Sequence, residues 1–239
     1  MGDAETMSFV RLLKVSSEIV SLPEVTIRMC GDAGSEKIFQ TFTGPHPRYK
    51  LIQNKRWGVA LLELPNLFQE YLQGKGKQAV RSNRRRATDL GFRFSSLDAS
   101  KHLDEILAIN TSMEARQGIP MGVSYRSVER LRKWIDSEGM VWGIFDREST
   151  LKAYAHISIC GEVFIISRLL GHGQELDKGI MYLLVSEIIR EMSELKERER
   201  APLWCMYDTF FGASPGLRYF KERLGFRPYK VRWVWQGQD

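Results

Sequence analysis

The stretch from Val163 to Met192, VFIISRLLGHGQELDKGIMYLLVSEIIREM, narrows what this chain can fold into more than any other. It begins with an apolar, β-rich run (Val163 to Ile166, then Leu169 and Leu170) that suits a buried strand. The run breaks at Gly171, His172 and Gly173 and resumes as a helix. Ile180, Leu184 and Ile188 fall four apart there, beside a second row of Met181, Val185, Ile189 and Met192. Strand, turn and amphipathic helix in that order set backbone N–H groups and the positive end of a helix dipole at a strand's carboxyl end. Anionic groups are held well in such a place, so the turn is a candidate donor-binding site. An ordinary strand-to-helix connection reads the same way.

The rest of the composition sets bounds. With 239 residues, 43% hydrophobic and 27% charged, the chain can bury a core for one large domain or two small ones. No apolar run approaches the roughly 20 residues that cross a bilayer, and the acidic start MGDAETMSF does not resemble an export signal. Gly2 and Thr6 match a myristoylation pattern, against which the early acids argue. Cys30, Cys160 and Cys205 are odd in number and lie in no metal-ligand spacing, so we expect a reduced, cytoplasmic protein without structural disulfides or metal. A formal net charge of +6 permits an anionic partner.

Residues 1–50 give only short apolar pieces, Val10 to Leu13 and Ile19 to Leu22, with turns at Gly31 to Gly34 and Gly44 to Pro47. WGVALLEL (57–64) reads as a strand stopped by Pro65, after which a short helix runs through Phe68, Tyr71 and Leu72. Then comes GKGKQAVRSNRRRATDLG, with six basic residues and no acid between Lys75 and Arg86, helical up to Gly91. Helical spacing puts Lys77, Arg81, Arg84 and Arg85 on one side, with Lys75 just before them. Such a stripe is an electrostatic footprint for phosphates. A solvated surface helix is the other reading, although it normally carries interleaved acids.

From residue 92 the order is strand (FRFSSL), helix (Leu103, Ile106, Leu107 and Ile109 inward), helix (Tyr125 to about Ser137) and three closely spaced strands, 140–146, 151–159 and Val163 to Leu170. The long helix follows, then a strand (202–211) and a helix capped by Ser214 with Pro215 at its first position. Gly225 closes that helix, and a last strand follows, RPYKVRWVW. His156 reads as a sheet residue rather than a catalyst.

This order and the ending GLRYFKERLGFRPYKVRW resemble the GNAT-type acyltransferase superfamily. The segment KQAVRSNRRRATDLG (Lys77 to Gly91) is similar to one that Fem-type (FemAB-like) aminoacyl and acyl transferases carry before their domain. The resemblance implies an α/β (α+β) fold, a mixed, mostly antiparallel central sheet flanked by helices. It assigns residues 91–239 to the acyltransferase domain and 1–90 to a small N-terminal extension, a remnant of a second GNAT unit. It also implies two strands that splay apart, Val163 to Leu170 and Leu203 to Tyr207. Ordinary acetyl-CoA users carry an Arg/Gln-x-x-Gly-x-Gly/Ala loop before the long helix, whereas the glycines here, in GHGQELDKGIMY, are spaced differently.

The implied activity is transfer of an acyl or aminoacyl group from a phosphate-bearing carrier, aminoacyl-tRNA or acyl-CoA, to a small amine or peptide. No cofactor is held; the carrier is a co-substrate. Tyr207 is expected as the acid to the leaving group and Asp208 as the group that orients a cationic amine; Tyr207 packing in the sheet is the other reading. Arg168, His172, Gly173, Lys178 and Gly179 are expected at the donor, and Glu114, Arg116 and Gln117 at the acceptor. Two alternatives stay open: an acyl-CoA-dependent N-acetyltransferase with a variant loop, and a non-catalytic RNA-binding module.

Overall fold

The computed structural model describes residues 21–47, 50–116, 119–135 and 139–237. Val10 to Leu13, Gly2, Thr6 and Gln117 lie outside them. The chain begins with β1 (Glu24–Met29), α1 (Ala33–Thr43), β2 (Val59–Glu63), α2 (Phe68–Tyr71) and α3 (Gln78–Asp89). It continues through β3 (Arg93–Ser96), α4 (Leu103–Thr111), the small hairpin β4 (Ala115–Arg116) and β5 (Ile119–Pro120), α5 (Val123–Arg126) and α6 (Val128–Ile135). Next come β6 (Met140–Phe145), β7 (Leu151–Cys160), β8 (Val163–Gly171), α7 (Ile180–Glu199), β9 (Trp204–Thr209), α8 (Pro215–Leu224) and β10 (Arg227–Trp235).

Eight strands make one sheet in the order β1-β10-β2-β9-β8-β7-β6-β3. The pairs β1 with β10 and β8 with β9 are parallel and the others antiparallel, so the sheet is mixed and mostly antiparallel, as expected. The boundary expected at residue 90 does not divide it. β2 lies between β9 and β10, and β1 edges β10, so strands from both sides of that point complete one another's hydrogen bonding. Residues before 91 are therefore built into the sheet rather than appended to it.

β1 and α1 are absent from the sequence reading. Val25, Ile27 and Met29 alternate with Glu24, Thr26 and Arg28 as a strand should. The next turn hides a cap: Asp32 accepts from the Ser35 N–H at 2.8 Å and starts α1. The helix expected over Tyr125 to about Ser137 is interrupted at Ser127, whose extended backbone ends α5 while its hydroxyl accepts from the Arg130 N–H at the start of α6.

The two faces of the sheet bury different cores. Phe164 and Ile166 of β8 pack with Leu184, Ile188 and Ile189 of α7. Val163 and Ile165 turn to the opposite face with Ile27, Phe42 and Trp233. A third cluster joins α4, α6 and the far half of β7 and β8 through Ile106, Leu131, Tyr154 and Leu170. Among the described residues no helix is long and apolar enough to cross a membrane.

Candidate active site

β8 and β9 pair over only three residues, Val163 with Trp204, Phe164 with Cys205 and Ile165 with Met206. Beyond these both strands carry an irregularity. In β8, His156 faces Arg168 but Ile157 faces Ile166, so Ser167 is the extra residue of a bulge. In β9, Val59 faces Thr209 but Leu61 faces Met206, and Asp208 sits at a positive φ of 51°. Asp is one of the few side chains that tolerates this conformation, because it lacks β-branching and can bond locally. A bulge bends its strand and sharpens its twist, and with one in each partner the two strands diverge.

The divergence opens a cavity of about 320 Å³. Leu169 and Gly171 of β8 and Tyr207 of β9 form its sides, Met181 and Tyr182 of α7 one end, and Leu217 and Phe220 of α8 another. Arg116 reaches its mouth from β4. Nη2 of Arg116 donates to the carbonyls of Ile109 at 2.8 Å and Gly171 at 2.9 Å, while its buried Nε has no hydrogen-bond partner. No carboxylate among the described residues pairs with it, and burial pushes its pKa down. A positive group with spare donor capacity at the mouth of an otherwise apolar slot favours an anionic or carbonyl-bearing ligand.

No protein-family model and no curated protein sequence matches this chain. Solved structures do. FemX superposes with a TM-score of 0.56 at 10% identity, covering 72% of this chain and 59% of its own. L-PGS from Bacillus licheniformis superposes with a TM-score of 0.51 at 17% identity, covering 71% and 57%. This chain shares the fold of these two proteins. A GCN5-related N-acetyltransferase from Kribbella flavida matches with a TM-score of 0.42 at 12% identity, over 77% of this chain and 60% of that one. The chain thus spans less than two thirds of the length of each of these proteins.

Within this sheet the expected site residues separate. Tyr207 and Arg116 line the slot. Burial pushes the Tyr207 phenol pKa up, with the Asp208 carboxylate adding to it, so Tyr207 holds its proton at neutral pH. Asp208 is exposed and pairs with Lys55. Asp208 is not part of the slot's lining.

Arg168 also needs a correction. Without a bulge, residue 168 would share the face of Phe164 and Ile166, which is the slot side. The extra residue at Ser167 reverses the parity, so Leu169 and Gly171 face the slot. Arg168 turns to α5 and α6, where its guanidinium stacks on Tyr125 at 4.7 Å and Trp134 at 4.1 Å.

The other donor residues form the turn but not the slot wall. Gly173 donates its N–H to Ser112 Oγ at 2.9 Å. His172 starts a 3-10 turn, and Lys178 in that turn is paired with Glu175 at 2.7 Å, which raises its pKa. Gly179 has φ +84°, and a Cβ there would collide with the Asn83 carbonyl of α3. Glycine is needed here so that α3 can close on the start of α7. Glu114 is exposed beside the slot and not part of its lining.

The basic stripe is likewise divided. Lys77 lies in a 3-10 turn ahead of α3, donates to the Leu224 carbonyl at 2.5 Å and sits 3.8 Å over the Tyr71 ring; burial lowers its pKa to about 8. Arg84 pairs with Glu187 of α7, its Nε 3.0 Å from the carboxylate. Arg81 donates to the Leu72 and Gly74 carbonyls. Lys75 and Arg85 face solvent, Arg85 beside Asp89 at 3.5 Å. The acid that a solvated basic helix would carry nearby is thus supplied for Arg84 from a residue 103 positions away.

Two groups at the slot escaped the sequence reading. Tyr182 stands at its end, edge-on to Phe220 at 5.0 Å. Lys221, 1% exposed, donates to the carbonyls of Tyr207 at 2.7 Å and Thr209 at 2.8 Å, so it clamps both sides of the β9 bulge. Its place inside LRYFKERLGF, the segment that carried the resemblance, was the available signal.

Proposed function

We propose that this protein transfers an aminoacyl or acyl group from a phosphate-bearing carrier to an amine, with the reacting carbonyl held in the slot between β8 and β9. The observation that carries this reading is the strand edge of β8 left unpaired with β9 beyond Ile165, beside a proton-bearing Tyr207 and an Arg116 that has no carboxylate partner among the described residues. Unpaired strand N–H groups suit an oxyanion, because they are fixed in place before charge develops. The acceptor nitrogen attacks the carbonyl carbon and forms an amide, the bond to the carrier breaks, and Tyr207 hands its proton to the leaving atom. The proton that the attacking nitrogen releases returns to the Tyr207 phenolate, so that the step balances and Tyr207 is regenerated.

Aminoacyl-tRNA is the carrier favoured over acyl-CoA. The turn before α7, where a diphosphate would need free N–H groups, is folded as a 3-10 segment whose Gly173 N–H is already bonded to Ser112. Residues Gly179 and Asn83 close its other end. The neighbour named FemX supports a fold compatible with this reading. The test is incubation of the full chain with separately labelled aminoacyl-tRNA and acyl-CoA pools and a mixture of amines. Transfer of the aminoacyl label supports the proposal, transfer of the CoA-borne label reassigns the carrier, and transfer of neither removes the activity.

A further inference from the structure

The outer face of α8 borders a second, larger depression, of about 640 Å³, separate from the slot. Its lining alternates guanidinium groups with aromatic rings. Arg218 lies 5.9 Å from the Phe210 ring and 5.8 Å from the Phe211 ring, and its Nε is buried without a partner. Arg223 lies 4.7 Å over the ring of Tyr219, which is 53% exposed. Arg227 adds a third cation and Glu222 the one acid among the described residues of the lining; Lys75 stands exposed next to Gly76 at the rim. Phe210 is buried, so Tyr219 is the ring that the groove offers to solvent; cations set around an exposed ring suit a chain that offers both phosphates and flat bases, whereas an acidic peptide offers only the charge.

We propose that this groove docks a single-stranded RNA segment, its bases stacking on Tyr219 and its phosphates meeting Arg218, Arg223 and Arg227. The same helix turns Leu217 and Phe220 into the slot, so groove and slot lie on two sides of one α-helix, whose width with side chains is about 10 Å. A strand lying in the groove can therefore bring its end over α8 to the reacting centre. That the RNA is the carrier's own single-stranded end rests on the function proposed above; the groove itself does not.

The test measures binding of a labelled single-stranded RNA ending in CCA to the full chain by fluorescence anisotropy over a salt series. Tyr219→Ala is expected to weaken binding about tenfold and Tyr219→Phe to keep it, because stacking needs the ring and not the hydroxyl. Arg223→Ala should reduce the slope of log affinity against log salt by about 0.7. Lys37→Ala, on α1, should change neither. The proposal is overturned if the wild type does not bind this RNA, if Tyr219→Ala and Arg223→Ala bind as wild type does, or if polyglutamate of equal charge competes as well as RNA. Loss of RNA affinity in Tyr219→Ala together with CoA-borne transfer would sink the carrier assignment and leave the groove standing. Aminoacyl transfer with an unaltered KM in Tyr219→Ala would sink the groove alone.

Discussion

Nη2 of Arg116 donates to the carbonyl of Gly171 at 2.9 Å, so the last residue of β8 is tied to the hairpin that follows α4. The same nitrogen also meets the Ile109 carbonyl and Ser112 Oγ, which makes it the pin between the slot's edge and the α4 layer. Replacing Arg116 by Ala leaves these half-buried acceptors short of a donor. A loss of about 1–3 kcal/mol in urea denaturation is expected, together with loss of transfer. Arg116→Met, which restores packing but not donors, should recover little of either.

Tyr207→Phe removes the only proton that Tyr207 can give while keeping its edge contact with Phe226, whose ring lies 5.9 Å away. If Tyr207 protonates the leaving atom, kcat falls about 100-fold or more with KM and the thermal midpoint little changed. An unchanged kcat would return Tyr207 to a packing role.

Arg84 and Arg85 are neighbours in sequence with opposite fates, and stability should separate them. The Glu187 side chain is 7% exposed, so Arg84→Ala leaves a carboxylate shielded only by Arg190, at 2.8 Å. With Arg84 itself about one third exposed, a cost of roughly 1–3 kcal/mol is expected, below that of a fully buried pair. Arg85→Ala, at an 85% exposed side chain, should stay within about 0.5 kcal/mol. Equal denaturation midpoints for the two variants would show that Glu187 does not depend on Arg84.

Gly179→Ala tests whether that glycine serves packing or the donor. A Cβ there meets the Asn83 backbone at a positive φ, so α3 and α7 must separate and stability should drop by about 2 kcal/mol or more. A role confined to the donor predicts instead a raised KM with an unchanged midpoint.

The buried amines make stability depend on pH. Burial lowers the pKa of Lys221 and of Lys77 to about 8, from 10.5 when unfolded. Between these values the unfolded chain binds more protons than the folded one, so both groups add stability as pH rises from about 8, and that contribution is lost as pH falls through 8. The thiols of Cys160 and Cys205, whose pKa values burial raises, act the other way above pH 9. The clean measurement is therefore a difference: Lys221→Met should lose stability less steeply than wild type between pH 9 and pH 7.5. Parallel profiles would show that Lys221 keeps its ordinary pKa when folded.

The sequence by itself determined the local elements, because their causes are local. The four-residue spacing from Ile180 to Ile188 writes α7, Ser214 and Pro215 start α8, Gly225 stops it at φ +100°, and the close turns between β6, β7 and β8 make antiparallel hairpins. The splay of two strands was legible too, through the resemblance in element order. What only the tertiary structure decided is which side each polar group faces and whom it meets. One extra residue at Ser167 inverts the parity of β8 and takes Arg168 from the slot to Trp134, and no pattern in VFIISRLLG marks it. Lys77 and Arg84 spend their charge on Leu224 and Glu187, partners set by how α3 lies on α7 and α8. Periodicity is a property of neighbours along the chain, whereas bulges and long-range pairs are settled by packing between segments that the sequence holds far apart.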